Sequence, residues 1–455
     1  MADGVRSFGV WLFIACLGSV VVAGCASPGP YNINLMPAPD VYKEGEITPF
    51  TDTNMLSESA LQGLLYATDR VPVDPQSTAS KQERFYLNER GGLIRLGVAS
   101  FSLGEANMTW EEARRISLAK NRTEEYPLKV TDVEEFGILD RSFHPFVDAE
   151  TRAQESNEPA QRFAQLVNAK LEISEKKDIF IYVHGYKVVF DNPVLVAAEL
   201  WHYLGYEGVF VAYAWPSTPS RWAYFADAET TATSAFHFGT LLEYLAEQTD
   251  AERIHIIGYS QGTRMVVDGV YRLALKYQDE TPEEAQKHLR IGKIILIGSD
   301  IDRQLMGSYI VDGLLDAMDN VTVYVSSRDK ALGLSRFLLG RQRLGEMFGE
   351  GEIRPEVEAF LEDNAELQFI NVTEAEGALT GNGHGYFRSS PWASSDILMT
   401  LRYGLEPEDR GLVHTEGLPV WTFPADYIDR LRAAIIQVNP GLKEALESNR
   451  TEAEP

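Results

Sequence analysis

Between residues 178 and 372 the chain repeats one pattern that few folds accommodate: short, nearly continuous apolar segments separated by stretches with helical spacing. The segments are residues 179–183, 209–215, 254–258, 294–297, 321–325 and 367–372. A strand that is apolar at almost every position has both faces buried, and intervening helices such as 193–203 and 264–276 are the crossovers that parallel strands require. The expected fold class is therefore α/β, with a mostly parallel, doubly wound sheet. Upstream, residues 64–68 and 93–103 alternate apolar and polar positions and read as an antiparallel pair at the N-terminal edge. Residues 335–365 and the segment beyond residue 400 add a cap or a C-terminal helical extension.

The 455 residues, 44% of them hydrophobic, suffice for one large core with additions, which excludes a wholly disordered or fibrous chain. With 41 basic against 67 acidic residues the net charge is -26. Such a chain repels nucleic-acid backbones and anionic membrane surfaces, so no nucleic-acid partner is expected and a neutral or cationic substrate fits better. Both cysteines, Cys16 and Cys25, precede the body of the chain. That body therefore has no disulfide framework, thiolate metal site or cysteine nucleophile. No HExxH, GxxxxGK[ST] or strand-linked GxGxxG pattern occurs, so no metal or nucleotide cofactor is expected.

Arg6 precedes an uncharged stretch, residues 8–23, that is short for a bilayer span and suits the apolar core of an export signal. It ends in Val22-Ala23-Gly24-Cys25, which resembles the lipobox of bacterial lipoproteins. Small residues at 23 and 24 fit a signal-peptidase cleft, and only a cysteine thiol can carry the thioether-linked lipid. Residues 1–24 are expected to be a lipoprotein signal peptide and Cys25 the acylated first residue of a membrane-tethered protein of the bacterial envelope. Ala26, where inner-membrane lipoproteins carry Asp, favours an outer-membrane location facing the periplasm. Residues 25–58, rich in Pro, Gly and Asn without period, read as a flexible tether. The folded domain is expected over 59–400, and a C-terminal extension with an acidic tail over 401–455.

The strand at 254–257 runs directly into Gly258-Tyr259-Ser260-Gln261-Gly262 and then into a helix with apolar Met265, Val266, Gly269 and Leu273. Glycines two before and two after the serine let strand and helix approach, while the serine takes a strained geometry that exposes its oxygen. An activated serine needs amides to hold an oxyanion. The strand at 179–183 leads into His184-Gly185-Tyr186, so the amides of Tyr186 and Gln261 are the expected pair. His184 precedes the serine in chain order and reads as a brace for this loop.

With the order serine, acid, histidine, the base is His384, in the glycine-rich loop GNGHGY, in preference to His414, in an extended stretch. The acid is Asp329, after the strand at 321–325, in preference to Asp300, which with Asp302 ends the preceding strand. Asp329 also reads as a helix N-cap. The aromatic residues Trp215, Trp222, Tyr224 and Phe225 read as core more readily than as an acyl pocket.

Together, YATDR (66–70), IYVHGY (181–186), Trp215-Pro216-Ser217, the serine elbow, SDIDRQL (299–305), YVSSRDKALGLS (324–335) and GHGYF (383–387) resemble the bacterial alpha/beta hydrolases catalogued as domain of unknown function nine hundred. The resemblance spans residues 60–400 and implies an alpha/beta-hydrolase fold with a triad on Ser260, Asp329 and His384. The elbow GYSQG departs from the HSMG-like form expected of that family. The expected activity is that of a lipase-like serine esterase, cleaving an ester, thioester or related acyl bond of a small-molecule or lipid substrate. The alternative is a catalytically silent hydrolase fold serving as an envelope binding or scaffolding lipoprotein.

Overall fold

A computed structural model describes residues 32–45, 47–50, 63–74, 84–104, 108–346, 355–415, 419–439 and 441–442. Among the described residues twelve strands form one sheet: β1 (Asn32–Asn34), β2 (Leu64–Pro72), β3 (Tyr86–Leu103), β4 (Pro127–Ile138), β5 (Asp178–Val183), β6 (Val209–Tyr213), β7 (Arg253–Tyr259), β8 (Ile291–Ile297), β9 (Met318–Val325), β10 (Leu367–Asn371), β11 (Val413–His414) and β12 (Trp421–Thr422). Their spatial order is β1-β4-β3-β2-β6-β5-β7-β8-β9-β10-β12-β11. Pairing is parallel from β2 through β12. It is antiparallel between β1, β4, β3 and β2 at one edge and between β12 and β11 at the other.

β5 is buried at every residue, and its period of two divides it between two helix layers. Phe180 and Tyr182 join the core under helices Asp191–Tyr203, Pro391–Tyr403 and Tyr427–Val438. Ile179, Ile181 and Val183 join the opposite core under helices Glu158–Ile173, Tyr224–Gln248 and Gly262–Lys276. Each such side chain contributes about 1.5–3 kcal/mol of transfer free energy, so the continuous apolar segments fix the doubly wound arrangement. The chain passes from β5 to β6 on one side and returns to β7 on the other. The loops leaving β5 and β7 therefore diverge and open a crevice at the strands' C-terminal ends, the usual ligand position in such sheets.

The structure fills in two readings of the sequence and corrects a third, the tether. β2 and β3 pair antiparallel as expected, but β4 and β1 lie outside them, so β2 is interior and buried from Leu64 to Arg70. β4 (PLKVTDVEEFGI) mixes charged and apolar positions and is half water-facing, which is why its alternation does not stand out.

The flexible tether expected over 25–58 is packed wherever it is described. Ile33, Leu35, Met36, Val41, Tyr42 and Ile47 are buried in the first core, Tyr42 Oη donates to Tyr203 O at 2.7 Å and Met36 N donates to Glu199 Oε1 at 2.6 Å. Irregular chain lying in a groove buries residues at no fixed period, so periodicity does not reveal it. The signal segment with Cys25, residues 26–31, 46 and 51–58 of the expected tether, and the acidic tail from 443 lie outside the described residues.

Beyond residue 400, β12 pairs with β10 and helix Tyr427–Val438 buries Tyr427, Leu431 and Ile435. This extension therefore completes the sheet and one helix layer.

Candidate active site

β7 ends at Tyr259, and helix Gly262–Lys276 begins three residues later. Ser260 has φ +53°, a left-handed conformation that costs a non-glycine residue about 1–2 kcal/mol. The turn is held by Ser260 N donating to Ile297 O at 2.9 Å and Thr263 Oγ1 donating to Ser260 O at 2.6 Å. Gly262 is required by close approach: a Cβ there would lie 2.1 Å from His184 O. A Cβ on Gly185 would come within 2.9 Å of Ser260 Cβ and 3.4 Å of Oγ, so the loop after β5 passes directly over the serine.

That loop is locked from below. His184 stacks on Trp215 with centroids 5.0 Å apart and planes 3° apart. Its Nε2 is 3.1 Å from Trp215 O, and Trp215 Nε1 donates to His184 O at 2.7 Å. Burial, with the Arg70 charge adding to it, holds the imidazole well below its ordinary pKa, so His184 is a neutral brace, as its chain position suggested. Arg70, wholly buried, donates through Nε to Ala214 O at 3.3 Å, through Nη2 to Val188 O at 3.2 Å and through Nη1 to Asn88 Oδ1. Ser217 Oγ donates to Val188 O at 2.9 Å. Arg70 and Ser217 thus hold the segment carrying the Tyr186 amide against the ends of β2 and β6. The sequence named both only as parts of motifs, because the partner they share, Val188, lies 118 and 29 positions away.

His384 and Asp329 meet. His384 Nδ1 is 2.6 Å from Asp329 Oδ2, while Asp329 Oδ1 accepts from the amides of Ala331 and Leu332 at 3.0 Å each. Asp329 is therefore both the partner of the imidazole and the N-cap of helix Lys330–Leu339. Asn382 ties the histidine loop to this cap: its Oδ1 accepts from His384 N at 3.1 Å and its carbonyl from Lys330 N at 3.1 Å.

A Cβ on Gly298 would lie 3.0 Å from His384 Nδ1, and the residue before it, Ile297, binds the Ser260 amide. Serine and imidazole therefore share the end of β8. Tyr386 Oη accepts from Gly298 N at 2.7 Å and donates to Tyr324 O at 2.9 Å, fixing that strand end to β9; nothing in the spacing identified this role. His384 Nε2 is buried with no hydrogen-bond partner. Gln261 Nε2 donates to Tyr224 O at 2.9 Å, and its own residue opens the helix behind the serine.

Asp300 does not meet an imidazole. Its Oδ2 accepts from Tyr224 Oη at 2.6 Å and Arg264 Nε at 3.1 Å, and its Oδ1 from Ser335 Oγ at 2.5 Å. Arg343 Nε lies 3.8 Å away. This buried hub pins helix Lys330–Leu339 and the segment 342–346 over the ends of β8 and β9, where Leu344 N donates to Ile301 O and Gly345 N to Ser299 O, both at 2.9 Å. Asp300→Asn is expected to lower the unfolding free energy by about 3 kcal/mol, because it leaves buried cations without their counter-charge. The check is a lower urea midpoint with the turnover of the folded fraction largely kept; unchanged stability with lost turnover would refute it.

His414 stacks on Trp421 at 3.8 Å and, with Leu367 and Gln368 at the start of β10, lines a cavity of about 610 Å³. It lies on the edge strand β11, five strands across the sheet from β7, and so away from Ser260. Among the aromatic residues expected in the core, Trp215 is buried, whereas Trp222 and Phe225 are exposed. Among the described residues no group of three or more His, Cys, Asp and Glu side chains could hold a metal ion, and no helix is long and apolar enough to cross a membrane.

A family model described as alpha/beta hydrolase of unknown function matches residues 160–402. Ser260, Asp329, His384, Tyr186 and Gln261 lie within that span, while YATDR lies ahead of it. No curated protein matches. A solved structure, the nucleoside-diphosphate sugar epimerase of Corynebacterium glutamicum, is similar at 13% identity over 89% of each chain with a TM-score of 0.18, too low to bear on fold. The model match covers more than half of the chain, and the sheet has the mostly parallel, helix-covered form that the family's fold requires. The chain belongs to the family of alpha/beta hydrolases of unknown function, DUF900.

Proposed function

We propose that the chain is a serine hydrolase that cleaves an ester, thioester or related acyl bond through an acyl-enzyme, with Ser260 as nucleophile, His384 as general base and acid, and Asp329 as its partner. The observation that carries this reading is the 2.6 Å contact of His384 Nδ1 with Asp329 Oδ2, beside a serine strained to φ +53°. A carboxylate on Nδ1 holds the proton there, leaves Nε2 as the basic lone pair, and stabilises the imidazolium that forms.

Ser260 Oγ adds to the acyl carbon and passes its proton to His384 Nε2. The collapse of the tetrahedral oxyanion, held by the amides of Tyr186 and Gln261, expels the leaving group, which takes that proton. Water, deprotonated by the same nitrogen, then releases the acyl group and restores Ser260. No step calls for a metal or cofactor. A fluorophosphonate probe tests the reading: it is expected to label the protein once, at Ser260, and not the Ser260→Ala variant. A folded protein that takes up no probe would instead fit a silent hydrolase fold with a binding or scaffolding role.

We further propose that Cys25 is the acylated N-terminus of an envelope lipoprotein, the support being Val22-Ala23-Gly24-Cys25 after the apolar stretch 8–23. Cys25→Ala is expected to abolish incorporation of labelled palmitate in cells. Continued labelling of that variant would sink the idea.

A further inference from the structure

The end of the domain that carries Ser260 presents apolar side chains that nothing among the described residues covers. Trp222 is 88% exposed, and Phe225, Leu305, Leu334 and Leu379 are each exposed by 44% or more. All five sit on segments leaving the C-terminal ends of strands: Trp222 and Phe225 after β6, Leu305 after β8, Leu334 after β9 and Leu379 after β10. Tyr224, between the two aromatic tips, accepts Gln261 Nε2 at its carbonyl and meets Ser335 Oγ through its hydroxyl at 2.7 Å. The tips therefore stand directly around the elbow. Scattered single apolar residues on a surface need no explanation, whereas a ring of them around one opening marks an interaction face.

One segment at this end is basic, unlike the chain as a whole. In a protein of net charge -26, the segment 328–341 presents Arg328, Lys330, Arg336 and Arg341 to solvent and turns its one carboxylate, Asp329, inward. Arg328 and Arg336 also meet Glu374 and Glu346. Apolar tips beside cations match the layering of a phospholipid surface, where tryptophan favours the boundary between acyl chains and headgroups.

We propose that the Ser260 end of the domain docks onto a phospholipid bilayer through Trp222, Phe225, Leu305, Leu334 and Leu379, and that the acyl bond it cleaves belongs to a lipid of that bilayer. The second clause rests on the serine-hydrolase reading; the first does not. The full chain is reconstituted into phosphatidylcholine vesicles, and its tryptophan emission is compared with that of Trp222→Phe, so that the difference reports Trp222 alone. That difference emission is expected to be blue-shifted and at least about twofold quenched when the phosphatidylcholine carries brominated acyl chains. Trp222→Asp/Leu334→Asp is expected to slow hydrolysis of a long-chain ester embedded in the vesicles at least about tenfold, with hydrolysis of a soluble short-chain ester unchanged. Trp222 emission that stays unshifted and unquenched overturns the docking. Equal loss on both substrates also overturns it and makes the ring part of the substrate pocket. Quenching as expected, from a protein that hydrolyses neither ester, keeps the docking and discards the hydrolase reading together with the lipid substrate.

Discussion

His384→Ala is expected to lower turnover of an activated ester by a factor of at least about a thousand, while the protein stays folded. His384 is held by its Nδ1 contact with Asp329, by Asn382 and by packing on Tyr259, and in its absence Asp329 keeps its two amide donors, so the fold is expected to survive the loss of the proton acceptor. A base needs a free lone pair to accept the proton of Ser260, and the alanine variant offers none. Fluorophosphonate labelling of Ser260 should slow in parallel, since the nucleophile loses its activator.

Two histidines serve as controls. His184→Ala removes a buried, neutral brace under the oxyanion loop and should destabilise the protein, whereas His414→Ala, at the far edge of the sheet, should leave turnover unaltered. A folded His384→Ala variant with near-normal turnover would show that another group acts as the base.

Asp329→Asn should cost about ten-thousandfold in turnover with little change in stability. The separation of the two effects follows from the double role of Asp329. Its Oδ1 caps helix Lys330–Leu339, and asparagine caps helices about as well as aspartate, so the helix keeps its start. Its Oδ2 accepts from the imidazole. An amide there can present its NH₂ to Nδ1, favouring the tautomer with the proton on Nε2, where it blocks acceptance from Ser260. The contrast with Asp300→Asn is the decisive measurement, because the two carboxylates are expected to exchange profiles: turnover lost at 329 with stability kept, stability lost at 300 with turnover kept. The opposite assignment of losses would move the acid to the end of β8.

Much of this arrangement could be read along the chain. The apolar segments from residue 178 onward set the parallel sheet because a strand buried on both faces needs no partner-specific information to announce itself, only an unbroken run of apolar side chains. Ser260 was legible for a similar reason: the conformation that exposes its oxygen demands small residues at fixed offsets, and Gly262, which a Cβ would drive into His184 O, is the local mark of that demand. Chain order limited the base to His384 or His414, the glycine-rich loop and the strand position put His384 and Asp329 first, and the structure brings that imidazole and that carboxylate together.

Other features depended on contacts that leave no local trace. Residues 32–45 and 47–50 looked like tether because irregular chain in a groove has no period, yet Tyr42 and Met36 are tied to residues some 160 positions away. Arg70 reaches Val188, Tyr386 reaches Gly298 and Asp300 reaches Ser335 and Arg343; each pair exists only after the strands have closed into one sheet. Trp222 and Phe225 carry the same apolar signature as Trp215, and only their position beyond the end of β6 exposes them. The sequence by itself determined the strands, the layers and the residue types of the site, since these follow from side-chain chemistry at short range. The tertiary structure decided which carboxylate meets the imidazole, what clamps the oxyanion loop and which apolar residues remain uncovered, since these depend on the register of distant strands.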